Sequence, residues 1–234
     1  MHQLLSKKAW ALGVVLIFIA FIPFVANAQN GIGACVTNRN APPIGDYYWP
    51  PDSEVKVYLV RGMFTPGQHQ TIFEAMETWT RAAQANGAGV RFTFAGESTG
   101  SVNCQGCLSI MRREIYKYDR EHYAFFYALK YNQDGSLFSA WIDFDFATTD
   151  PHALKGFAAH EIGHGLGLFD CKTCKKKQTI MNGFPGINRD NGLVAPSACD
   201  VEVVRRVYST QRSQAAQRGQ AAASREAKVR NRPQ

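Results

Sequence analysis

The sequence predicts an α+β domain in which a mixed sheet packs against a few helices, and three observations predict it. Apolar and polar residues alternate, as in half-buried strands, at Val55-Lys56-Val57-Tyr58-Leu59, at Val90 to Phe94 and at Leu137 to Asp145. Between the first two, Ile72, Ala75, Met76, Trp79 and Ala83 recur at helical spacing. Two more helical patterns follow, one running through Leu154, Phe157, Ala158 and Ile162 and one through Val201, Val204 and Tyr208.

Lys7 and Lys8 precede an apolar run from Ala9 to Val25, and Ala26-Asn27-Ala28 then gives the small-x-small pattern of a signal-peptidase site. Residues 1–28 therefore read as a signal peptide, with Gln29 as the mature N-terminus and a secreted or periplasmic location. The alternative is an N-terminal membrane anchor, since the run approaches the roughly 20 residues that span a bilayer. With the signal removed, no stable membrane association is expected.

Residues 29–52, punctuated by Pro42-Pro43 and Pro50-Pro51, read as an extended lead-in to an ordered domain spanning 53–209. The first strand covers about Ser53 to Val60 and the helix Gln68 to Ala85, with Asn86-Gly87 as its stop. After the Val90–Phe94 strand, Gly96 to Gly106 is a polar loop, and Leu108 to Tyr116 reads as a third strand of imperfect alternation. Tyr116 to Tyr131 holds five tyrosines and two phenylalanines and fits either strands or a short helix, with His122 read as a partly buried surface histidine and, as the alternative, an additional ligand. Asn132-Gln133-Asp134-Gly135 is a turn before the Leu137–Asp145 strand. Asp143, Asp145 and Asp150 read as solvent-facing carboxylates, with a Ca2+ site as the alternative, although no complete calcium loop is present. Asp150 and Pro151 begin the next helix, with His152 in its exposed first turn. Ser197 caps the last helix, with Asp200 completing the box.

An exported chain with six cysteines is expected to form disulfides. The simplest of the fifteen pairings joins Cys104 to Cys107, Cys171 to Cys174 and Cys35 to Cys199, although sequence alone does not choose it. A four-cysteine zinc site or a pair of redox dithiols is the competing reading. Net charge is +7, much of it in residues 210–234, which read as a disordered or marginally helical basic tail in solvent. No nucleic-acid motif accompanies that charge, so no specific nucleic-acid partner is expected.

The chemistry concentrates in His160-Glu161-Ile162-Gly163-His164-Gly165-Leu166-Gly167-Leu168-Phe169-Asp170. Histidines four apart share one helix face and so reach one metal ion, with Glu161 placed to polarise a water there. Gly167, free to take a positive φ, ends the helix so that Asp170 returns as a third ligand and leaves the fourth position open. Met181, in Thr179-Ile180-Met181-Asn182, follows at short range.

These residues resemble the extended zinc motif and Met turn of the metzincin metalloendopeptidases. Most members carry histidine at the position of Asp170, and the snapalysin-type enzymes carry aspartate. The order of strand, long amphipathic helix and Phe-x-Phe strand extends the likeness upstream, as matrixin-like organisation. The resemblance implies a zincin-like metzincin catalytic domain with a mixed twisted sheet, an active-site helix and a C-terminal helix. It implies one catalytic Zn2+ on His160, His164 and Asp170, Glu161 as general base, and Met181 as a structural base under the imidazoles. It also implies a substrate backbone lying along an edge strand at Leu137–Asp145 and a pocket wall at 185–196. Gly183 stands where some branches carry a metal-associated tyrosine. A monomeric endopeptidase acting on protein or peptide substrates is the expectation, and a non-catalytic metal-binding protein on the same scaffold is the alternative.

Overall fold

The computed structural model describes residues 34–115, 117, 118, 122–182 and 192–230. The expected signal peptide, Gly183 and residues 185–191 of the expected pocket wall lie outside them. The described elements are β1 (Ile44–Tyr48), β2 (Glu54–Val60), α1 (Pro66–Ala85), β3 (Arg91–Ser98), β4 (Cys107–Arg113), β5 (Ala124–Tyr131), β6 (Leu137–Asp145), α2 (Pro151–Gly165), β7 (Leu166–Leu168) and α3 (Ala198–Arg230).

Five strands form one sheet in the order β3-β2-β4-β6-β5. The first four are parallel, and β5 runs antiparallel to β6. Parallel neighbours need a crossover, and α1 supplies it between β2 and β3. Register aligns Val57 with Leu108 and Ala140, and Leu59 with Ile110 and Ile142, so the alternating apolar residues form one buried surface.

Thr65 and Gln68 form a reciprocal capping box at the start of α1, with Pro66 following the cap. The stripe Ile72, Ala75, Met76, Trp79 and Ala83 is buried, as its spacing predicts. Trp79 carries α1 onto α2, its indole N–H donating to the Ala159 carbonyl at 2.6 Å. Asp150 caps α2 by accepting from the Ala153 N–H.

Several expectations change. The Leu137–Asp145 strand, expected at the sheet edge, is hydrogen-bonded on both sides, to β4 and β5. Among the described residues the edge strands of this sheet are β3 and β5, and the one that packs against α2 is β5, inside the stretch whose character the sequence left open. Residues 29–52 are more than a lead-in: β1 pairs antiparallel with β7, and Trp49 is completely buried. The last helix continues to Arg230, so of the two readings of residues 210–234 the described part takes the helical one. Past Tyr208 it has no apolar stripe, and polar anchors hold it: Arg212 donates to Asp52 and to the Gly87 carbonyl, and Gln211 accepts from Tyr48.

Asp143 and Asp145 are buried, not solvent-facing. Asp145 accepts the Ile115 and Ala147 N–H groups at 2.6 and 2.7 Å, so it stitches the sheet to the following loop. Asp143 lies 3.1 Å from the Arg113 guanidinium. Neither is arranged as part of a set of oxygens around a calcium ion. The cysteines pair as Cys35–Cys199, Cys104–Cys107 and Cys171–Cys174, which leaves no thiols for a four-cysteine zinc site.

Candidate metal centre

α2 delivers His160, Glu161 and His164 from consecutive turns of one face, and their ligand atoms lie within 4.8 Å of one another. The two imidazoles stand 5.0 Å apart between ring centres and nearly perpendicular, so they converge on a point instead of stacking. Each is aimed by its other nitrogen. His160 Nδ1 lies 2.8 Å from the Ile180 carbonyl and His164 Nδ1 2.9 Å from the Leu168 carbonyl. Donation to those carbonyls places a ring proton on Nδ1 and turns each Nε2 inward, the orientation in which it can bind a metal.

Asp170 comes from outside the helix. Its Oδ1 is 3.0 Å from His160 Nε2 and 3.8 Å from His164 Nε2. The helix itself ends at Gly165, with Leu166 as cap, two residues before the glycine expected to stop it. Gly167 sits within β7 at φ +86°, and a Cβ there would come within 2.9 Å of Val207. It is required both for the turn towards Asp170 and for the close approach of α3.

Met181 is fully buried beneath the helix. A Cβ on Gly163 would stand 2.5 Å from its sulfur, so the glycine lets the turn reach the backbone under the histidines. Cys171–Cys174 lies between Asp170 and this turn, while Lys175, Lys176 and Lys177 are exposed.

The donor set fits zinc: two imidazole nitrogens and one carboxylate oxygen converge beside a buried Glu161 oxygen that has no hydrogen-bond partner among the described residues. The electrostatics agree. Burial opposes charge on His160, but its hydrogen bond to Asp170 and the charges of Glu161 and Asp170 outweigh that and lift its pKa to about 9. Burial, then repulsion from His160, pushes His164 down to about 4. Burial raises Glu161 to about 7 against the pull of His160. For Asp170 burial is overcome by the His160 hydrogen bond and nearby imidazole charge, giving about 2. Two carboxylates in a pocket this dry draw in positive charge, a proton on His160 or a cation at the convergence point.

No family model matches the chain, and no curated protein matches it. Among solved structures, one of myroilysin gives a TM-score of 0.43 at 15% identity, covering 69% of this chain and 82% of the other. A second myroilysin structure gives 0.42 at 17% identity, covering 70% and 86%. Metalloproteinase-II from Bacteroides fragilis gives 0.42 at 13% identity, covering 71% of this chain and 56% of that one. Likeness at this level leaves the chemistry to be argued from the site itself.

Three further residues support the centre. Asp200, read from sequence only as a helix-capping partner, also accepts from the Thr179 hydroxyl and the Ile180 N–H, so it holds the turn that aims His160. Its reciprocal bonds with Ser197 keep the expected capping box. Phe126 on β5 directs its backbone N–H to the Glu161 carboxylate, and its ring lies 6.1 Å from His164. Trp49 fills the space where a Cβ on Gly165 would be. A buried tryptophan in a proline-rich lead-in is the signal for the last, whereas no local pattern marks Phe126.

Proposed function

We propose that this chain is a secreted zinc endopeptidase of metzincin type, with aspartate as the third protein ligand. The observation that carries the reading is the convergence of His160 Nε2, His164 Nε2 and Asp170 Oδ1 beside a buried Glu161 carboxylate. His160, His164 and Asp170 would hold the ion. Zinc bound there supplies a Lewis acid that brings the pKa of a coordinated water to about 7 and polarises a carbonyl.

Glu161 takes the proton as water attacks the scissile carbonyl and returns it to the leaving amine. Its uncommitted oxygen lies 3.9 Å from His164 Nε2, on the ligand side of the helix. Burial of the Glu161 carboxylate keeps bulk water from competing for that proton. The free edge of β5 runs beside α2 and offers a peptide backbone a strand to pair with, so we assign the substrate track to β5 and not to β6. Export, with removal of residues 1–28, provides the oxidising compartment in which three disulfides persist.

Digestion of casein or a peptide library by the purified protein tests the reading, with metal stoichiometry measured alongside. Glu161→Gln is expected to keep the metal and to lose peptide cleavage by about 10²–10⁴-fold. Cleavage that survives Glu161→Gln, or stoichiometric zinc with no cleavage of any peptide, refutes it.

A further inference from the structure

The three ligands are held in two different ways. The histidines are aimed by hydrogen bonds from their own rings. Asp170 is held differently: among the described residues the side chains that its Oδ1 meets are the ligand imidazoles themselves, His160 Nε2 at 3.0 Å and His164 Nε2 at 3.8 Å. Its position is therefore dictated by the main chain on either side. The Phe169 N–H donates to the Pro43 carbonyl at 2.9 Å, and the Cys171 N–H donates to the Met181 carbonyl at 2.7 Å.

The first of those anchors belongs to the N-terminal segment, which follows the ligand loop along its length. Trp49 N–H donates to the Gly165 carbonyl at 2.8 Å, and β1 pairs with β7 across Gly167. Farther along, the Thr173 hydroxyl donates to the Asn38 carbonyl at 2.5 Å, and Cys174 Sγ lies 3.5 Å from the Ala41 carbonyl. The segment is fastened at its beginning by the Cys35–Cys199 disulfide to the residue preceding Asp200, which holds the turn under His160.

We infer that residues 35–49 act as a positioning strap for Asp170, and that the Cys35–Cys199 cross-link, by fixing the strap to α3, sets how tightly the centre holds its metal. This rests on Asp170 being a ligand, as proposed above. A ligand whose side-chain contacts are its fellow ligands takes its precision from its backbone, and a misplaced ligand costs metal affinity. Cutting the cross-link frees one end of the strap and restores the chain entropy that the ring removed.

The test is zinc affinity, measured by competition with a chromogenic chelator on the oxidised full chain, with folding of each variant checked by circular dichroism. Cys35→Ser with Cys199→Ser is expected to weaken zinc binding by about 10–100-fold. Cys104→Ser with Cys107→Ser, which removes a disulfide at the start of β4 and none of the strap contacts, is expected to leave it unchanged. Thr173→Val breaks one strap contact while keeping every disulfide, and is expected to give a smaller loss in the same direction if the cysteine variant does not fold. In an Asp170→Ala background the strap substitutions are expected to add less than about twofold, because coupled changes are non-additive. Wild-type affinity in the strap variants, or an undiminished loss in the Asp170→Ala background, overturns the inference. Wild-type zinc affinity in Asp170→Ala alone overturns the ligand assignment as well, which separates the two failures.

Discussion

Asp200 accepts the backbone N–H of Ile180 at 2.9 Å, and the carbonyl of the same Ile180 meets His160 Nδ1 at 2.8 Å. A carboxylate at the start of the last helix thus aims His160 on α2 through one peptide unit. Removing it strands three buried or half-buried donors, the Thr179 hydroxyl and the Ile180 and Ser197 N–H groups. Asp200→Ala is expected to cost about 1–3 kcal/mol in denaturant unfolding, the range for removing a buried hydrogen-bond acceptor. Zinc affinity should fall with it.

Gly163 and Met181 give a steric prediction. Alanine normally favours a helix over glycine by about 1 kcal/mol. Here its Cβ would stand 2.5 Å from the Met181 sulfur and 3.3 Å from the Trp79 ring, so Gly163→Ala is expected to lose about 1–3 kcal/mol instead. Met181→Ala in the same chain should recover part of that loss. Additive thermal shifts in the double variant would contradict the packing argument.

Asp143 predicts a pH dependence away from the centre. Burial, only partly offset by Arg113, raises its carboxyl to about 6. A folded-state pKa above the unfolded value near 4 means the native protein binds the extra proton between about pH 4 and 6. Its contribution to stability is therefore present below pH 4 and declines as pH rises to about 6, by on the order of 2–3 kcal/mol. Asp143→Asn should flatten that segment of the stability profile. An unchanged slope in the variant would rule Asp143 out as its source.

Metal removal should act on stability as well as on activity. A ligand that binds only the folded state stabilises it by about 4 kcal/mol at a thousandfold excess over its dissociation constant. Chelation is expected to lower the melting temperature and abolish cleavage together, and added zinc to restore both. In Glu161→Gln the melting shift should persist while cleavage does not return.

Much of the fold was legible because local signals and burial agree in those segments. The stripe on α1, the alternation in β2 and β3, and the start of α2 at Asp150-Pro151 each express one periodicity or one cap. β5 was illegible for a physical reason. As an edge strand it leaves Tyr127, Leu129 and Tyr131 partly exposed, with Phe125 and Phe126 half-buried, so apolar residues point both ways and no period of two emerges. β1 was missed because its partner, β7, lies some 120 residues later in the chain, and nothing within five residues announces such a pairing. The extension of α3 was left open between disorder and marginal helix because polar contacts with Asp52, Gly87 and Tyr48 hold it where no apolar stripe does.

The sequence by itself determined the identity and spacing of the chemical groups: His160, Glu161 and His164 on one helix face, with Asp170 and Met181 close behind. Helical geometry makes that spacing a three-dimensional statement, since residues four apart share a face wherever the helix is placed. Tertiary structure alone decided which strand is left free beside the cleft, which carbonyls turn the imidazoles, and which distant segment holds Asp170. Those relations are long-range hydrogen bonds and a cross-link between residues far apart in the chain, and backbone N–H and carbonyl groups are the same at every residue. No residue type marks in advance which of them will meet.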